Sequence, residues 1–244
     1  MRRCILRRFD DFGTYAGMSS GTDTMLRYTT PVILVGASPV PVADMLWILP
    51  SDWPLLAADG GANTLLDLSR RPEIVIGDMD SARSLPADLP RMALDGQDDT
   101  DLQKCLARIE TPLLVGLGFL DGRFDHGLAA MHALMMLDHD RPVMLVGMHD
   151  VMLRLRGDVS FAAEAGCRVS IWPLGTQSFG RSDGLRWQLD GLQMAAGSLI
   201  GTSNEATGGP VTIRAGAGNG YAVMLPVAAL PRLLDAAMPQ ADQG

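Results

Sequence analysis

Short apolar runs alternate with polar, glycine-bearing turns through the first 150 residues. Runs 32–36, 55–58, 73–76, 92–94, 113–116 and 143–146 are continuous, brief and bounded by turn residues. That pattern predicts buried strands. Between them the apolar spacing changes to that of helices. Leu65, Leu66 and Leu68 follow the turn Asp59-Gly60-Gly61-Ala62-Asn63 at helical spacing. Leu102, Cys105, Leu106 and Ile109 form a stripe at i, i+3, i+4 and i+7, with Asp101, Lys104 and Arg108 on the other face. Thr100 and Gln103 have capping-box spacing, so that helix should begin near Thr100. Residues 128–137 are apolar nearly all round and predict a helix buried against a sheet. Residues 42–49, bracketed by Pro39, Pro41 and Pro50, fit a helix or a strand.

After Asp150 the texture changes. Runs 151–155, 167–172, 185–189, 211–214 and 222–225 are strand-like, glycines separate them, and no clear amphipathic helix precedes Pro231. The fold class read from this is α/β. A doubly wound, mostly parallel sheet is followed by a smaller all-β sandwich or barrel. The expected division is a poorly ordered extension (1–28), an α/β domain (29–150) and a β domain (151–244).

Charge and cysteines narrow the class. The net charge of -8 argues against a nucleic-acid surface, which wants clustered Lys and Arg. No apolar run approaches the roughly 20 residues that span a bilayer. Arg2, Arg3, Arg7 and Arg8 are not followed by the apolar stretch of a targeting signal. Met18 or Met25 could be the true start. Cys4, Cys105 and Cys167 are odd in number and far apart, which suggests neither a disulfide framework nor a zinc site and fits a reducing cytoplasm.

The chemistry concentrates after the predicted strands. Asp78 and Asp80 stand one residue apart where a buried strand ends. Like charges so close raise each other's pKa unless a cation lies between them. Mg²⁺ with phosphate oxygens is the usual solution, although an isolated Asp-x-Asp can equally be a solvated turn. The turn at Gly60 and Gly61 either admits a ligand close to the backbone or is a plain tight turn. Asp98, Asp99 and Asp101 surround a helix start, where acidic residues also complement the dipole. Arg123, at another helix start, wants either a phosphate or an Asp partner. His126 and His132 are six residues apart and read as structural or rim residues. Trp187 shares parity with Leu185 and Leu189 and reads as core or as part of an inward set. The loop 201–205 has no evident core role. In doubly wound sheets ligands bind beyond the carboxyl ends of the strands, so these acidic segments can converge on one edge.

Several motifs occur in one order: Asp59-Gly60-Gly61-Ala62-Asn63, Gly77-Asp78-Met79-Asp80-Ser81, Gln97-Asp98-Asp99-Thr100-Asp101-Leu102-Gln103-Lys104 and Gly122-Arg123-Phe124-Asp125-His126, then Gly184-Leu185-Arg186-Trp187-Gln188-Leu189 and Ser203-Asn204-Glu205. That order resembles the thiamine pyrophosphokinase family from about Val32 to Leu225. The resemblance implies an α/β catalytic domain and a β-sandwich, working as a homodimer. It implies Mg²⁺-dependent transfer of the β,γ-diphosphate of ATP to the hydroxyl of thiamine, giving thiamine diphosphate and AMP. Asp78, Asp80, Asp98 and Asp101 would be the Mg²⁺-binding, catalytic acids, with Arg123. Asp59, Gly60, Gly61, Asn63, Ser81, Lys104 and Asp125 would line the ATP path. Gln97, Thr100, Trp187, Ser203 and Asn204 would serve thiamine, Trp187 being reached across the dimer. Two positions depart from the family pattern. Gly96 stands where the family often has Asp, and His132 where it often has Asn. A haloacid-dehalogenase-type phosphatase is the first alternative, but Ala82 stands where that class wants Thr or Val. A non-catalytic nucleotide or thiamine sensor is the second.

Overall fold

The computed structural model describes residues 24–94, 96 and 98–238. The first half alternates strand and helix as its apolar pattern predicts. Its elements are β1 (Leu26–Arg27), β2 (Val32–Val35), α1 (Val42–Ile48), β3 (Leu55–Ala58), α2 (Gly61–Asp67), β4 (Val75–Gly77) and β5 (Arg91–Ala93). They continue with α3 (Asp101–Leu106), β6 (Ile109–Glu110), β7 (Leu114–Leu117), α4 (Phe124–Met135) and β8 (Val143–Val146). Strands β2, β3, β4, β7 and β8 are buried along their whole length, which is why they read as continuous apolar runs.

The second half adds β9 (Asp150–Leu155), β10 (Val159–Ala163), β11 (Arg168–Pro173), β12 (Gln177–Asp183), β13 (Gln193–Met194), β14 (Gly201–Glu205), β15 (Gly209–Gly218) and β16 (Tyr221–Pro226). A single 3-10 turn then leads into α5 (Leu230–Ala237).

The boundary expected near residue 150 is not a break in the sheet. A tight turn joins β8 to β9, closed by Gly147 N–H donating to the Asp150 carbonyl at 2.9 Å, and the two strands pair antiparallel. One ten-stranded mixed sheet results, ordered β14-β11-β16-β9-β8-β7-β2-β3-β4-β5. A four-stranded antiparallel sheet, β10-β15-β12-β13, accompanies it. The hydrophobic core is continuous too. Val35, Met45 and Met144 belong to the same buried cluster as Phe161, Val211 and Leu233. Phe179 and Tyr221 meet edge to face inside it, with ring centroids 5.1 Å apart. Among the described residues no helix is long and apolar enough to cross a membrane.

Several expectations need correction. Leu26 and Arg27, assigned to the extension, form β1 and pair in parallel with β6. Helix α3 stops at Leu106, so Ile109 reaches the core from a strand. Lys104 and Arg108 are buried, not on a solvated face. Helix α4 is not buried all round. Ala130, Ala133 and Leu134 face the protein, whereas Phe124 and Leu128 are 81% and 55% exposed. The inward face combines two small side chains with Leu134, and Phe124 and Leu128 turn outward. Residues 185–189 are no strand, making only the isolated bridge Leu185–Ala206. The loop 201–205 is instead the edge strand β14. Strand β10 was missed although it alternates buried and exposed residues. Strand β12 is polar, and its buried Gln177 and Ser182 are satisfied by hydrogen bonds.

Candidate active site

Three strand or helix ends bring carboxylates together. Strand β3 ends at Ala58, and Asp59 follows with φ 38°, turning the chain into α2. Strand β4 ends at Gly77 and delivers Asp78. Asp101 is the first residue of α3. Thr100 caps that helix in a full capping box with Gln103. One carboxylate oxygen each from Asp59, Asp78 and Asp101 lie within 4.8 Å of one another. The glycine at 77 makes this approach possible, since a Cβ there would lie 2.8 Å from the Asp59 Cβ.

The cluster is electrostatically unbalanced. Burial, then repulsion from Asp59, pushes the Asp101 carboxyl up to about 6, against the pull of Lys104. Burial also raises Asp59. Burial acts the same way on Asp78, but hydrogen bonds from Lys104 and the Asp80 amide outweigh it and hold its pKa below the usual range. The buried Lys104 Nζ lies 3.0 Å from Asp78 Oδ2 and 3.9 Å from Asp101 Oδ1. Asp59 is fully buried. Its Oδ2 accepts from the Ser81 amide at 3.1 Å, and its Oδ1 has no hydrogen-bond partner.

A cleft of about 280 Å³ opens beside this cluster. Its walls include Gly36, Ala37 and Ser38 beyond β2 and Gly118 and Phe119 beyond β7. Strands β2 and β7 are neighbours, yet the chain leaves β2 toward β3 on one side and leaves β7 toward β8 on the other. The cleft therefore sits at the topological switch point, where open α/β sheets bind ligands. The loops there touch closely, because a Cβ on Gly36 would lie 2.6 Å from the Gly118 carbonyl oxygen. Asp80, Ser81, Thr100 and Lys104 line the cleft with Asp78 and Asp101, and His126 enters it from α4.

The other expected residues divide into neighbours and supports. Asp80 is exposed, accepts from the Ser81 hydroxyl at 2.8 Å and is not one of the clustered three. Asp98 lines an adjoining depression with Thr100, Gln103, Leu128 and His132. Gln97 lies outside the described residues. Arg123 is exposed and paired with Asp125, so of its two expected partners the structure supplies the Asp. Asn63 braces the acidic loop: Nδ2 donates to the Ser81 carbonyl at 2.9 Å and Oδ1 accepts from the Arg83 amide at 2.7 Å. Gly60 backs the cleft, since its Cβ would lie 3.2 Å from the Ala37 Cβ and 3.3 Å from the Ser81 Cβ.

Gly61 serves packing. A Cβ there would lie 1.9 Å from the Val35 carbonyl oxygen. Gly61→Ala should therefore cost roughly 3 kcal/mol as α2 is forced off β2. An unchanged midpoint of chemical unfolding would show that α2 slides freely instead.

Trp187, Ser203 and Asn204 do not line the cleft. Trp187 is 55% exposed while Leu185 and Leu189 are buried, so it is not core. Sequence reasoning missed Gly36 to Ser38, Gly118 and Phe119 as cleft residues, whereas His126, read as a structural or rim residue, lines the cleft. The only signal was that both parent strands end in glycine, and which strands are neighbours does not follow from that.

Two family models match the chain. The thiamin pyrophosphokinase catalytic domain matches residues 49–145, and the thiamin pyrophosphokinase vitamin B1 binding domain matches residues 158–219. Thiamine pyrophosphokinase 1 of Oryza sativa subsp. japonica is 31% identical over 187 residues, 61% of this chain and 70% of the relative. The chain belongs to the thiamine pyrophosphokinase family. Thiamine pyrophosphokinase 1 of Arabidopsis thaliana is similar at 31% identity, over 65% of this chain and 73% of its own. The fold agrees with that of the thiamin pyrophosphokinase from Geobacillus thermodenitrificans. That match has a TM-score of 0.64 at 24% identity, covering 81% of this chain and 97% of the other. The Candida albicans thiamin pyrophosphokinase gives a TM-score of 0.62 at 14% identity, over 86% and 94% of the two chains. The activity of a thiamine pyrophosphokinase is ATP-dependent formation of thiamine diphosphate, a diphosphotransfer. Neither the phosphatase nor the sensor alternative finds support.

Proposed function

We propose that this chain transfers the β,γ-diphosphate of ATP to the hydroxyl of thiamine, with Mg²⁺ held by Asp59, Asp78 and Asp101. The observation that carries the metal reading is the three-carboxylate cluster, in which Asp59 Oδ1 is buried without a partner. Hard oxygen donors in this arrangement suit a divalent cation that also takes phosphate oxygens. When bound, Mg²⁺ would neutralise the charge that builds on those oxygens. Asp59 thereby moves from the ATP path to the metal set. Asp80, on the cleft wall, and Asp98, in the depression beside it, complete the acidic surround.

The chain's own groups do the positioning. Gly36, Ala37, Ser38 and Gly118 form a wall of small residues, with Phe119 beside them, against which a nucleotide can lie. Lys104 holds Asp78 and lines the cleft in which the phosphates would lie. Residues 29–150 carry this nucleotide chemistry and residues 151–244 the thiamine pocket. Trp187 and Ser203 are exposed and stand apart from the cleft of their own chain. That supports a homodimer in which a second copy presents them, with the outward apolar residues Phe124 and Leu128 of α4 as further surface to cover. A cytoplasmic location agrees with the free thiols of Cys105 and Cys167.

The deciding experiment incubates the protein with ATP, Mg²⁺ and thiamine. AMP and thiamine diphosphate should appear together in equal amounts. Phosphate release without AMP, or tight binding without turnover, would overturn the reading.

A further inference from the structure

We infer that Asn204 is a positioning residue: it fixes the loop that presents Trp187 and acts on thiamine only through that loop. The inference rests on the reading that Trp187 meets thiamine. The family resemblance placed Asn204 against thiamine itself. Its side-chain amide is already committed. Oδ1 accepts from the Trp187 amide at 3.1 Å and from the Glu205 amide at 2.8 Å. Nδ2 donates to the Trp187 carbonyl at 2.7 Å. The side chain is also buried, at 5% exposure. Both acceptor sites of the oxygen are therefore filled, and one of the two N–H donors is spent on the same residue.

The loop needs such a clamp. Residues 184–190 have no regular strand pairing beyond the Leu185–Ala206 bridge. Their ends are tied by the Thr207 amide to the Gly184 carbonyl at 2.9 Å, the Arg186 amide to the Glu205 carbonyl at 2.8 Å and the Leu189 amide to Ser182 Oγ at 2.7 Å, which leaves the backbone of Trp187 between them to Asn204. Leu185 and Leu189 are sunk in the core on either side of an indole that remains mostly in solvent. An unrestrained Trp would fold down onto apolar surface, because its ring carries a large hydrophobic payload. Asn204 holds both backbone polar groups of Trp187 and denies it that movement. The Arg186 guanidinium lies 4.8 Å from the ring centroid and pairs with Glu205 at 3.6 Å, so one face of the indole is covered and the other is left to a ligand.

The strand beneath is shaped for this. The β11–β14 register shifts between Val169 and Ile171. Ser203 adopts φ 58° and its amide donates to Ser170 Oγ at 3.0 Å. The irregular step turns Asn204 inward while Ser203 stays exposed. Division of labour follows along three residues: Trp187 and Ser203 offer surface, and Asn204 supplies the support.

The test uses the full-length protein and the variants Asn204→Ala, Asn204→Asp, Trp187→Ala and the Asn204→Ala/Trp187→Ala pair. Amide hydrogen exchange over residues 184–190 and the KM values for thiamine and ATP are measured for each. Asn204→Ala should speed exchange in that segment and raise thiamine KM about tenfold, the loss of one to two hydrogen bonds, while ATP KM stays as in the parent. It should add nothing in the Trp187→Ala background, where the residue it positions is gone. Asn204→Asp keeps the acceptor, turns a donor into a repulsion against the Trp187 carbonyl, and should give the same split should the alanine variant not fold. Unchanged exchange in both single variants would overturn the clamp. A thiamine effect undiminished in the double variant would return Asn204 to direct contact. Faster exchange, with thiamine KM unmoved by Trp187→Ala itself, would leave the clamp and overturn its link to thiamine.

Discussion

Asp101→Asn should stabilise the metal-free protein and cost at least a hundredfold in diphosphate transfer. The two effects have one origin. Asp101 sits within 4.8 Å of Asp59 and Asp78, and burial with their repulsion pushes its carboxyl from 3.8 up to about 6. A neutral amide removes that repulsion. It also removes a negative charge from the first turn of α3, which costs about 0.3–1 kcal/mol. The upward shift shows that burial and repulsion outweigh what favours the charge, so the net change is stabilising. Catalysis should move the other way, because in the proposed metal set the loss of the Asp101 donor would remove charge stabilisation worth about 10²–10³ in rate. The sign carries into pH. Between about 4 and 6 the folded metal-free chain holds a proton that the unfolded chain has released. Stability from this group is full below 3.8 and is lost as pH rises through about 6. Thermal melts of the metal-free parent should lose stability over that window more steeply than those of Asp101→Asn. Equal slopes, or a destabilised variant with full activity, would remove Asp101 from the cluster's chemistry.

Arg154→Met should lower the melting temperature by roughly 10 °C, about 3–5 kcal/mol for a chain of this size. Arg154 is fully buried on β9. Its Nη1 donates to the carbonyls of His139 and Arg141 at 2.7 and 3.1 Å, and its Nη2 to that of Leu137 at 3.0 Å. Burial lowers its pKa to about 10, still high enough to keep the charge at neutral pH. These carbonyls lie in the connection from α4 to β8, so one guanidinium ties the end of α4 to the far half of the chain. Arg156 reinforces it by donating to the carbonyls of Leu137 and Asp138, each at 2.9 Å. Methionine fills similar space but leaves the His139 and Arg141 carbonyls short of a donor, while the Leu137 carbonyl keeps Arg156. Calorimetry of the variant decides the matter. A transition within two or three degrees of the parent would mean that water or Arg156 takes over the bonds.

The parallel half of the fold was legible because its strands are buried on both faces and therefore read as unbroken apolar runs. The start of α3 was legible because a capping box is a local motif. What failed were features set at a distance. The β8–β9 turn spans few residues and resembles a linker, so the continuity of the sheet was hidden. Strands β10 and β12 need apolar residues on one face only, and β12 carries satisfied polar groups in the core. Leu185, Trp187 and Leu189 alternate as a strand would, but two anchors around an exposed residue produce the same pattern. The site divides along the same line. Asp78 and Asp101 were legible from their motifs. The place of Asp59 among the clustered carboxylates depends on β3 lying beside β4. The burial of Lys104 depends on α3 packing against β4. Neither adjacency is written in the spacing of residues.

The turn at residues 147–150 has a mechanical consequence. Because β9 is the antiparallel neighbour of β8, the ladder that holds β2, β7 and β8 runs without interruption into β16, β11 and β14. Severing the chain there would not release two self-sufficient bodies. Separating the halves would bare the edge of β8, apolar along Val143–Val146, and an unpaired apolar edge recruits other chains. The two halves share one sheet and one buried core, so a single cooperative melting transition is expected of them.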